Sequence, residues 1–178
     1  MHEDHKLMGQ VKQGDKKAYE ILVRKYRKSC TGFASQILND EYLAEDVVQD
    51  CFAKIYILRD RYKNTGSLKT YLFTMIRNRS IDYIRKQKYV KIMSNIDIIN
   101  NISTKSTEEI YIEREKIKGF HDQLKIMQDD YKQMMYLYAV EELSYEEIAK
   151  VMKQTKAQVK IKLYRARNIL RLYREKEG

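Results

Sequence analysis

The chain has 178 residues, of which 43% are hydrophobic and 34% are charged, and it contains six glycines, no proline and no tryptophan. This composition excludes a collagen, a fully disordered chain and most turn-rich β-sandwiches, because strands joined by tight turns usually need glycine and proline. The formal net charge of +10 at pH 7 favours a polyanionic partner, either nucleic acid or an anionic membrane surface. We therefore expect an all-α protein that binds an anion-rich partner.

The sequence shows neither a membrane-spanning segment nor a cluster of metal ligands. No apolar run approaches the roughly 20 residues that span a bilayer, and the first residues lack the basic and apolar stretches of a signal peptide. We expect a cytoplasmic protein without membrane insertion. Cys30 and Cys51 lack CxxC spacing and lie in segments of helical apolar periodicity, which predicts buried thiols instead of a disulfide or a metal site. With three dispersed histidines, the sequence predicts no metal ion and no other cofactor.

The sequence of residues 1–91 predicts a bundle of four helices. The predicted helix starts follow Asp, Asn or Ser, which are common N-caps, and the apolar residues behind them recur at spacings of three and four. The helices expected in chain order are a short one around Met8, one from Asp15 to about Ile37, one that Asn39 or Asp40 caps and that runs through Ile55, and one from Ser67 to about Lys88.

Residues 92–112 form a predicted linker, because residues 94–106 are rich in Asn, Ser and Thr and lack a helical period. Residues 113–178 form a predicted second domain of three helices. Ser144 and Glu147 have the spacing of a capping box, in which two side chains satisfy backbone N–H groups at a helix start. The expected helices are one opened by Asp129 or Asp130, one from Tyr145 to Met152, and a basic one after the break at residues 153–155.

The last helix carries the clearest functional pattern. Its apolar residues form one stripe from Val159 to Leu170, and the segment from Lys153 to Arg174 contains basic residues but no acidic one. A short helix, a short turn and a basic helix make the helix-turn-helix pattern, whose second helix enters the DNA major groove. The turn often has glycine where this chain has Lys153, so either Lys153 adopts a positive φ or a different cap forms. A solvated amphipathic helix is the alternative, but the capping box, the turn length and the lack of acids together favour DNA binding.

The fourth predicted helix combines basic and aromatic residues. Arg77, Arg79 and Arg85 lie on it, with Asp82 between them. Basic side chains follow a phosphate backbone and aromatic rings stack on unpaired bases, so this block suits single-stranded nucleic acid. Core packing explains the aromatic residues equally well. Both interpretations stay open for Tyr62, Tyr71, Phe73 and Tyr83.

Asp46, Gln49 and Asp50 share one face of the third predicted helix, because residues three and four apart are neighbours on a helix surface. They form a small acidic patch in a basic protein. Paired carboxylates can act in acid–base catalysis, but no glycine-rich loop or G-x-S-x-G motif accompanies them. We therefore predict a protein contact at this patch and no enzymatic activity, with a solvated face as the alternative.

Five segments resemble the bacterial sigma-70 family. Three of them resemble its region two, namely residues 44–52 (AEDVVQDCF), 66–72 (GSLKTYL) and 77–85 (RNRSIDYIR). Two resemble its region four, namely residues 143–149 (LSYEEIA) and 159–167 (VKIKLYRAR). With only these two regions and a linker, the chain is similar to the extracytoplasmic function group. It departs from the family pattern at three positions, with Lys125 in place of proline, Lys153 in place of glycine and Ile161 in place of a small polar residue.

The resemblance implies a fold, a function and partners. The fold would be two small helical domains, with residues 1–91 similar to region two, residues 113–178 similar to region four, and residues 92–112 as the linker. The function would be that of a non-catalytic sigma factor, which binds core RNA polymerase and directs promoter recognition, strand opening and transcription initiation. Members of this group are usually held by an anti-sigma factor, which is therefore a further candidate partner beside polymerase and promoter DNA.

The resemblance also implies roles for individual residues. It assigns contact with polymerase to Asp46, Gln49 and Asp50. It assigns contact with the minus-ten promoter element to a loop and the fourth helix, at Asn64, Thr65, Gly66, Ser67, Arg77, Asn78, Arg79 and Asp82. It assigns contact with the minus-35 element to the last helix, at Thr155, Lys156, Gln158, Lys160, Lys162 and Arg165.

Two other functions are compatible with the residues alone. A two-domain DNA-binding regulator would share the helix-turn-helix but would not bind polymerase. A helical RNA-binding or RNA-modifying enzyme would need a catalytic constellation that no motif here supplies. Polymerase binding distinguishes a sigma factor from the first alternative, and turnover of a nucleic acid would support the second.

Overall fold

A computed structural model of the chain describes residues 2–63, 66–93 and 127–177, and all regular structure within these ranges is helical. The predicted all-α class with two helical groups is confirmed. Most of the predicted 92–112 linker lies outside the described residues. The α-helices are α1 (His2–Lys12), α2 (Lys16–Leu38), α3 (Glu41–Ile57), α4 (Leu68–Met93), α5 (Asp129–Ala139), α6 (Tyr145–Met152) and α7 (Lys156–Glu177), with a 3₁₀ turn at Arg59–Arg61.

Short polar side chains that accept backbone N–H groups cap α2 and α3, whereas α5 begins at Asp129 after Gln128, whose side chain makes no capping bond. Asp15 Oδ1 accepts the N–H groups of Lys17 at 2.8 Å and of Ala18 at 3.1 Å, which confirms the predicted cap of α2. Asp40 is the N-cap of α3 and accepts a backbone N–H at 3.0 Å. Asn39 instead ends α2 with a φ of 53°, in the left-handed region that asparagine tolerates better than most residues. The sequence had left these two caps as alternatives.

The first four helices pack around an apolar core. Phe33 of α2 and Phe73 of α4 are fully buried and meet edge to face, with ring centroids 5.2 Å apart. A buried carboxylate fixes α1 on α2, because Asp4 accepts hydrogen bonds from Lys25 Nζ and Tyr26 OH, both at 2.6 Å. Burial raises the pKa of the Asp4 carboxyl, but the hydrogen bonds lower it more, so this pKa lies below its usual range.

Both cysteines lie buried in this bundle as free thiols, as the sequence predicts. Burial raises the pKa of the Cys51 thiol to about 11, and burial also raises the pKa of Cys30. Thiols with raised pKa values are protonated at neutral pH and react slowly, because the thiolate is the nucleophile. The two cysteines therefore serve as core residues.

The last three helices form the predicted helix-turn-helix with a small core of its own. Leu137 of α5, Ile148 of α6 and Leu163 of α7 are fully buried at its centre. The capping box at the start of α6 is present. Ser144 Oγ accepts the N–H of Glu147 at 3.3 Å, and Glu147 Oε2 accepts the N–H of Ser144 at 3.0 Å.

Lys153 ends α6 with a φ of 54° and a ψ of 46°, the left-handed conformation that glycine usually supplies. Of the two alternatives that the sequence allowed, the chain therefore adopts the positive φ. The Lys153 N–H bonds to carbonyls of the preceding turn, as in an ordinary helix cap. A side chain in this conformation costs roughly 1–2 kcal/mol. The capping bonds and the packing of α6 on α7 offset that cost.

The two helical groups pack directly on each other, with α5 against α2 and α6 against α4. Tyr136 of α5 is buried and lies against Gly32 of α2. A Cβ at Gly32 would collide with the Tyr136 hydroxyl oxygen and lie 3.3 Å from Cζ of that ring. The Tyr136 ring also lies 6.0 Å from the Phe33 ring. Glycine at position 32 therefore permits the close approach of the two groups.

Candidate nucleic-acid interface

A second capping box opens α7. The Gln158 N–H donates to Thr155 Oγ1 at 3.2 Å, and the Thr155 N–H donates to Gln158 Oε1 at 2.9 Å. Both residues are predicted DNA contacts, and their Thr-x-x-Gln spacing is also the sequence signal of this box. The amide oxygen of Gln158 is used at the helix start, and its NH₂ group can still donate to a base edge.

The face of α7 away from the core presents cations to solvent. Gln158 and Arg165 are exposed on one flank of α7, and Lys160 is exposed on the other. Lys156 is also exposed and forms an ion pair with Glu146 of α6, and the hydrogen bond from Lys156 lowers the pKa of the Glu146 carboxyl. Ion pairs between exposed side chains contribute little to stability. Lys156 can therefore exchange Glu146 for a phosphate at small cost.

Lys162 lies on the flank of α7 that faces α5, one turn from Gln158 and from Arg165. Its Nζ donates to Asp130 Oδ2 at 2.7 Å, and Gln154 Nε2 donates to the same oxygen at 3.2 Å. The hydrogen bond from Lys162 is the main cause that holds the pKa of Asp130 below its usual range. Lys162 thus joins α7 to α5, while Lys160 and Arg165 face solvent.

The arginines of α4 are engaged within the protein. Arg77 is half-buried, and its Nε donates to Oε1 of Gln133 on α5 at 3.1 Å. Burial lowers the pKa of the Arg77 guanidinium, which stays charged because its usual value is so high. Arg79 is exposed and donates to Asp50 Oδ2 at 2.8 Å, and this bond raises the pKa of Arg79. Both predicted DNA contacts therefore have protein partners in the free chain.

Asn78, Arg79 and Asp82 of the predicted minus-ten contact border one shallow groove with Asp50. Asn78 is partly buried, whereas Asp82 is exposed and lies 3.9 Å from an Arg85 nitrogen. The groove holds charges of both signs. It can present donors to a nucleic acid only after the carboxylates have been displaced or turned aside.

Part of the predicted minus-ten loop, Asn64 and Thr65, lies outside the described residues. Gly66 is exposed, and its carbonyl oxygen lies 3.0 Å from Nε2 of His5 on α1. Ser67 Oγ accepts a backbone N–H at 3.4 Å, which confirms the predicted cap of α4. Sequence analysis missed His5, and no local pattern could have revealed it because 61 positions separate it from Gly66.

The acidic patch of α3 is exposed, as its spacing predicts. Asp46, Gln49 and Asp50 all face solvent. Gln49 also borders a groove between α2 and α3 whose floor includes the buried Val48. Exposed carboxylates repel the phosphates of a nucleic acid, so this patch suits a protein partner better.

The aromatic residues near α4 divide between the two interpretations. Tyr62 and Phe73 are buried, so core packing is correct for both. Tyr71 is 40% exposed and its ring lies 5.2 Å from that of Tyr62. Tyr83 is partly exposed, and its hydroxyl accepts a hydrogen bond at 2.9 Å from a neighbour one turn away. Tyr71 and Tyr83 are therefore the two that an unpaired base could reach.

A buried carboxylate joins the two helical groups near the start of α4. Glu141, which follows α5, is buried and lies 3.0 Å from Lys69 Nζ, and Ser29 Oγ of α2 donates to it at 3.1 Å. Thr70 Oγ1 donates to Glu147 Oε1 of the capping box at 3.1 Å. The first turns of α4 are therefore covered by α6 and by the turn before it.

Within residues 2–63, 66–93 and 127–177, no three His, Cys, Asp or Glu side chains are placed to hold a metal ion. In the same ranges, no helix is both long enough and apolar enough to cross a membrane. The features described above are thus a cationic face on α7, a mixed groove on α4 and an acidic face on α3.

Two family matches cover the two helical groups. Residues 22–89 match the family described as Sigma-70 region 2. Residues 119–170 match the family described as Sigma-70, region 4. The first range contains the acidic patch of α3 and most of α4, and the second contains the helix-turn-helix.

Curated relatives and a solved structure agree with these matches. The chain is 30% identical over 154 residues to the ECF RNA polymerase sigma factor SigM of Bacillus subtilis (strain 168), covering 84% of this chain and 91% of that protein. It is 27% identical over 178 residues to the ECF RNA polymerase sigma-E factor of Haemophilus influenzae, covering 94% of this chain and 93% of that protein. The fold is similar to that of the sigma factor RpoE in its co-crystal structure with the anti-sigma factor NepR from Bartonella quintana. That similarity has a TM-score of 0.70 at 23% identity and covers 86% of this chain and 94% of the other.

Proposed function

The chain belongs to the sigma-70 family, in its extracytoplasmic function group, and we propose that its two helical groups divide promoter recognition between them. It is a sigma factor, a subunit that binds core RNA polymerase and directs transcription initiation. We propose residues 1–91 and 113–178 as its two domains and residues 92–112 as the linker. We also propose that it acts in the cytoplasm and catalyses no reaction of its own.

The helix-turn-helix is the proposed reader of the minus-35 element. The exposed cations Lys156, Lys160 and Arg165 would meet phosphates of the duplex, because phosphate contacts supply affinity and position. Thr155 and the NH₂ group of Gln158 lie at the N-terminal end of α7, where a recognition helix meets base edges. Lys162 would act less directly, since its ammonium is held by Asp130.

The proposed minus-ten contact is the loop at residues 64–67 together with α4. Its donors Arg77, Asn78 and Arg79 are consecutive residues of α4, so their side chains leave the helix in three directions about 100° apart. Asp82 lies in the same groove and could accept a hydrogen bond from a base amino group. Opening a base pair costs a few kcal/mol, which contacts to the unpaired base must offset.

The acidic face of α3 is the proposed polymerase contact. Asp46 and Gln49 are exposed, and neither side chain forms an ion pair within the described residues. The Asp50 carboxylate, in contrast, already pairs with Arg79. Polymerase binding at Asp50 would therefore release Arg79 towards DNA. The observation that supports the whole assignment is that one chain exposes an acidic patch on α3 and cationic side chains on α7.

Simultaneous use of both promoter elements requires the two helical groups to separate. Elements centred roughly 25 base pairs apart lie about 85 Å apart along B-form DNA at 3.4 Å per base pair. In the packed arrangement, Arg77 of one group is 3.1 Å from Gln133 of the other. The bonds of Arg77 to Gln133 and of Lys69 to Glu141 would therefore break when the promoter is bound. We further propose an anti-sigma partner, which the similarity to a sigma factor crystallised with NepR supports.

Transcript mapping with reconstituted polymerase tests the function. Purified chain is added to bacterial core polymerase, and transcript starts are sequenced from genomic DNA of the same source. We expect starts preceded by a reproducible pair of motifs at a fixed spacing. A chain with Lys160→Ala and Arg165→Ala should lose most of these starts, whereas Lys17→Ala, an exposed lysine at the start of α2, should keep them.

The same reconstitution separates the alternative function. A DNA-binding regulator that does not bind polymerase would bind duplex DNA but would neither co-purify with the core enzyme nor direct new starts. That result would contradict the proposed role of α3 while leaving the role of α7 intact.

A further inference from the structure

Ile161 is a large apolar side chain that stands in solvent on a cationic helix face. It is 51% exposed on α7, whereas Val159, two residues earlier, is fully buried. Because an α-helix turns about 100° per residue, Ile161 lies about 200° around the helix from Val159. It therefore faces directly away from the helix-turn-helix core.

The position of Ile161 along α7 places it where a recognition helix meets base edges. It follows Lys156, the first residue of α7, by five residues, a rise of about 7.5 Å at 1.5 Å per residue. Base contacts come from the N-terminal part of a recognition helix, which lies deepest in the groove. Ala157, one turn earlier on the same face, is small enough to let the helix approach closely.

The charges around Ile161 indicate which kind of partner binds this face of α7. Lys160 and Arg165 are exposed beside it, and Lys156 lies just over one turn before it. An apolar surface bordered by cations, on a helix with no acidic residue from Lys156 to Arg174, complements a polyanion, whereas a protein partner would need to bury these charges. Duplex DNA is therefore the partner that this face fits.

The chemistry of the major groove then limits what Ile161 can contact. Each base presents hydrogen-bonding groups there, and thymine alone also presents a methyl group, on C5. An isoleucine placed over a donor or acceptor would remove its water without replacing the hydrogen bond, which is unfavourable. Over a thymine, the two apolar surfaces would shield each other from water.

We propose that Ile161 is a specificity-determining residue that packs on the C5-methyl group of a thymine in the minus-35 element. The inference rests on the proposed function, in which α7 enters the major groove of that element. Burial of one methyl group favours binding about fourfold. Ile161 thus selects thymine at one position, while the neighbouring cations bind every sequence.

Replacement of thymine by deoxyuridine, which lacks only the C5-methyl group, tests the inference. Holoenzyme made from the full chain and bacterial core polymerase first selects duplexes from a random-sequence pool. Each thymine of the selected upstream motif is then replaced singly by deoxyuridine, and affinity is measured. We expect about a fourfold loss at one or two positions with the wild-type chain. Ile161→Ser should bind thymine and deoxyuridine equally at those positions.

Two variants serve as matched controls. Leu172→Ser makes a similar apolar-to-polar change on the same face, at a residue that is 54% exposed but three turns farther along α7. It should keep the discrimination between thymine and deoxyuridine. Lys160→Ala should weaken all duplexes alike and leave the ratio of affinities unchanged.

The outcomes separate this inference from the proposed function. Equal binding of thymine and deoxyuridine by the wild-type chain, or discrimination that survives Ile161→Ser, would overturn the role of Ile161. The role of α7 would stand in either case if binding stayed salt-dependent and sequence-selective. Selection of no upstream motif at all would contradict the proposed function itself.

Discussion

The residues proposed to bind DNA on α7 and on α4 differ in how the free chain holds them. On α7, Lys160 and Arg165 face solvent, and the ion pair of Lys156 joins two exposed side chains. On α4, Arg77 is half-buried against Gln133 and Arg79 is bonded to Asp50. If the proposed roles hold, the duplex contact of α7 is exposed in the free chain, whereas the strand contact of α4 must first be released from Gln133 and Asp50.

This difference matches the order of events at a promoter. A duplex element can be bound before any strand opens, so the cationic side chains of α7 can stay exposed to solvent in the free chain. Residues that bind unpaired bases have no ligand until the strands part. Internal partners such as Gln133 and Asp50 keep the α4 arginines satisfied until then.

The largest effect should come from reversing charge on the acidic face of α3. Asp46→Lys should lose contacts worth about 2–5 kcal/mol if they are buried in the polymerase complex, and should abolish co-purification with core polymerase. Asp60→Lys, an exposed acid of the 3₁₀ turn, is the matched control and should keep binding. Circular dichroism should show unchanged helical content for both. Undiminished polymerase affinity of Asp46→Lys would remove α3 from the account.

The contact between the two helical groups can be broken at one glycine. Gly32→Ala should improve the helix propensity of α2 by about 1 kcal/mol. The added Cβ nevertheless meets the Tyr136 hydroxyl, and overpacking of this kind costs about 1–3 kcal/mol. We expect a larger radius of gyration in small-angle scattering and earlier unfolding in urea.

A second substitution serves as the control for this overpacking. Adding Tyr136→Phe to Gly32→Ala removes the colliding oxygen and leaves the ring carbon at 3.3 Å, so compactness should be partly restored. Tyr136→Phe alone should stay compact. A Gly32→Ala variant as compact as the wild type would contradict the close packing of α5 on α2.

Acid should lower the stability of the first four helices, because it protonates Asp4. Its folded pKa is lowered below the usual 3.8, so its stabilising effect is present above that value and is lost as the pH falls through the folded pKa. Asp4→Asn should therefore destabilise the chain by about 1–2 kcal/mol at pH 7, and by progressively less as the pH falls through the folded pKa. Urea unfolding across this pH range measures the difference. An equal loss at every pH would mean that the charge of Asp4 is unimportant.

The smallest effect concerns the turn of the helix-turn-helix. Lys153→Gly should stabilise the chain by roughly 1 kcal/mol, because glycine adopts the left-handed conformation without strain. Lys150→Gly, within α6, should instead destabilise it by about 1 kcal/mol. Thermal unfolding of the two variants should shift in opposite directions. A shift in the same direction would show that the strain at Lys153 is not significant.

Local features of the fold were predictable because they depend on neighbouring residues. The cap at Asp15, the box at Ser144 and Glu147, and the exposed patch on α3 all follow from spacings of three and four. The second box at Thr155 was equally local, and its Thr-x-x-Gln spacing would have predicted it.

Long-range contacts were not predictable, because no spacing along the chain encodes them. The bonds of Arg77 to Gln133 and of His5 to Gly66 join residues far apart in sequence. The predicted end of α4, at about Lys88, was too early, because the helix runs to Met93. The flank position of Lys162 depends on where α5 lies, which periodicity within α7 cannot reveal.

The distance between the two helical groups is the most direct test of the account. Lys17→Cys on α2 and Leu172→Cys on α7 place exposed thiols for fluorescent labels, while the buried Cys30 and Cys51 should label slowly. Energy transfer is then compared between the free chain and the holoenzyme on promoter DNA. The account predicts high transfer in the free chain and a marked fall on the promoter, because the groups must separate to reach both elements. Unchanged transfer on the promoter would contradict it.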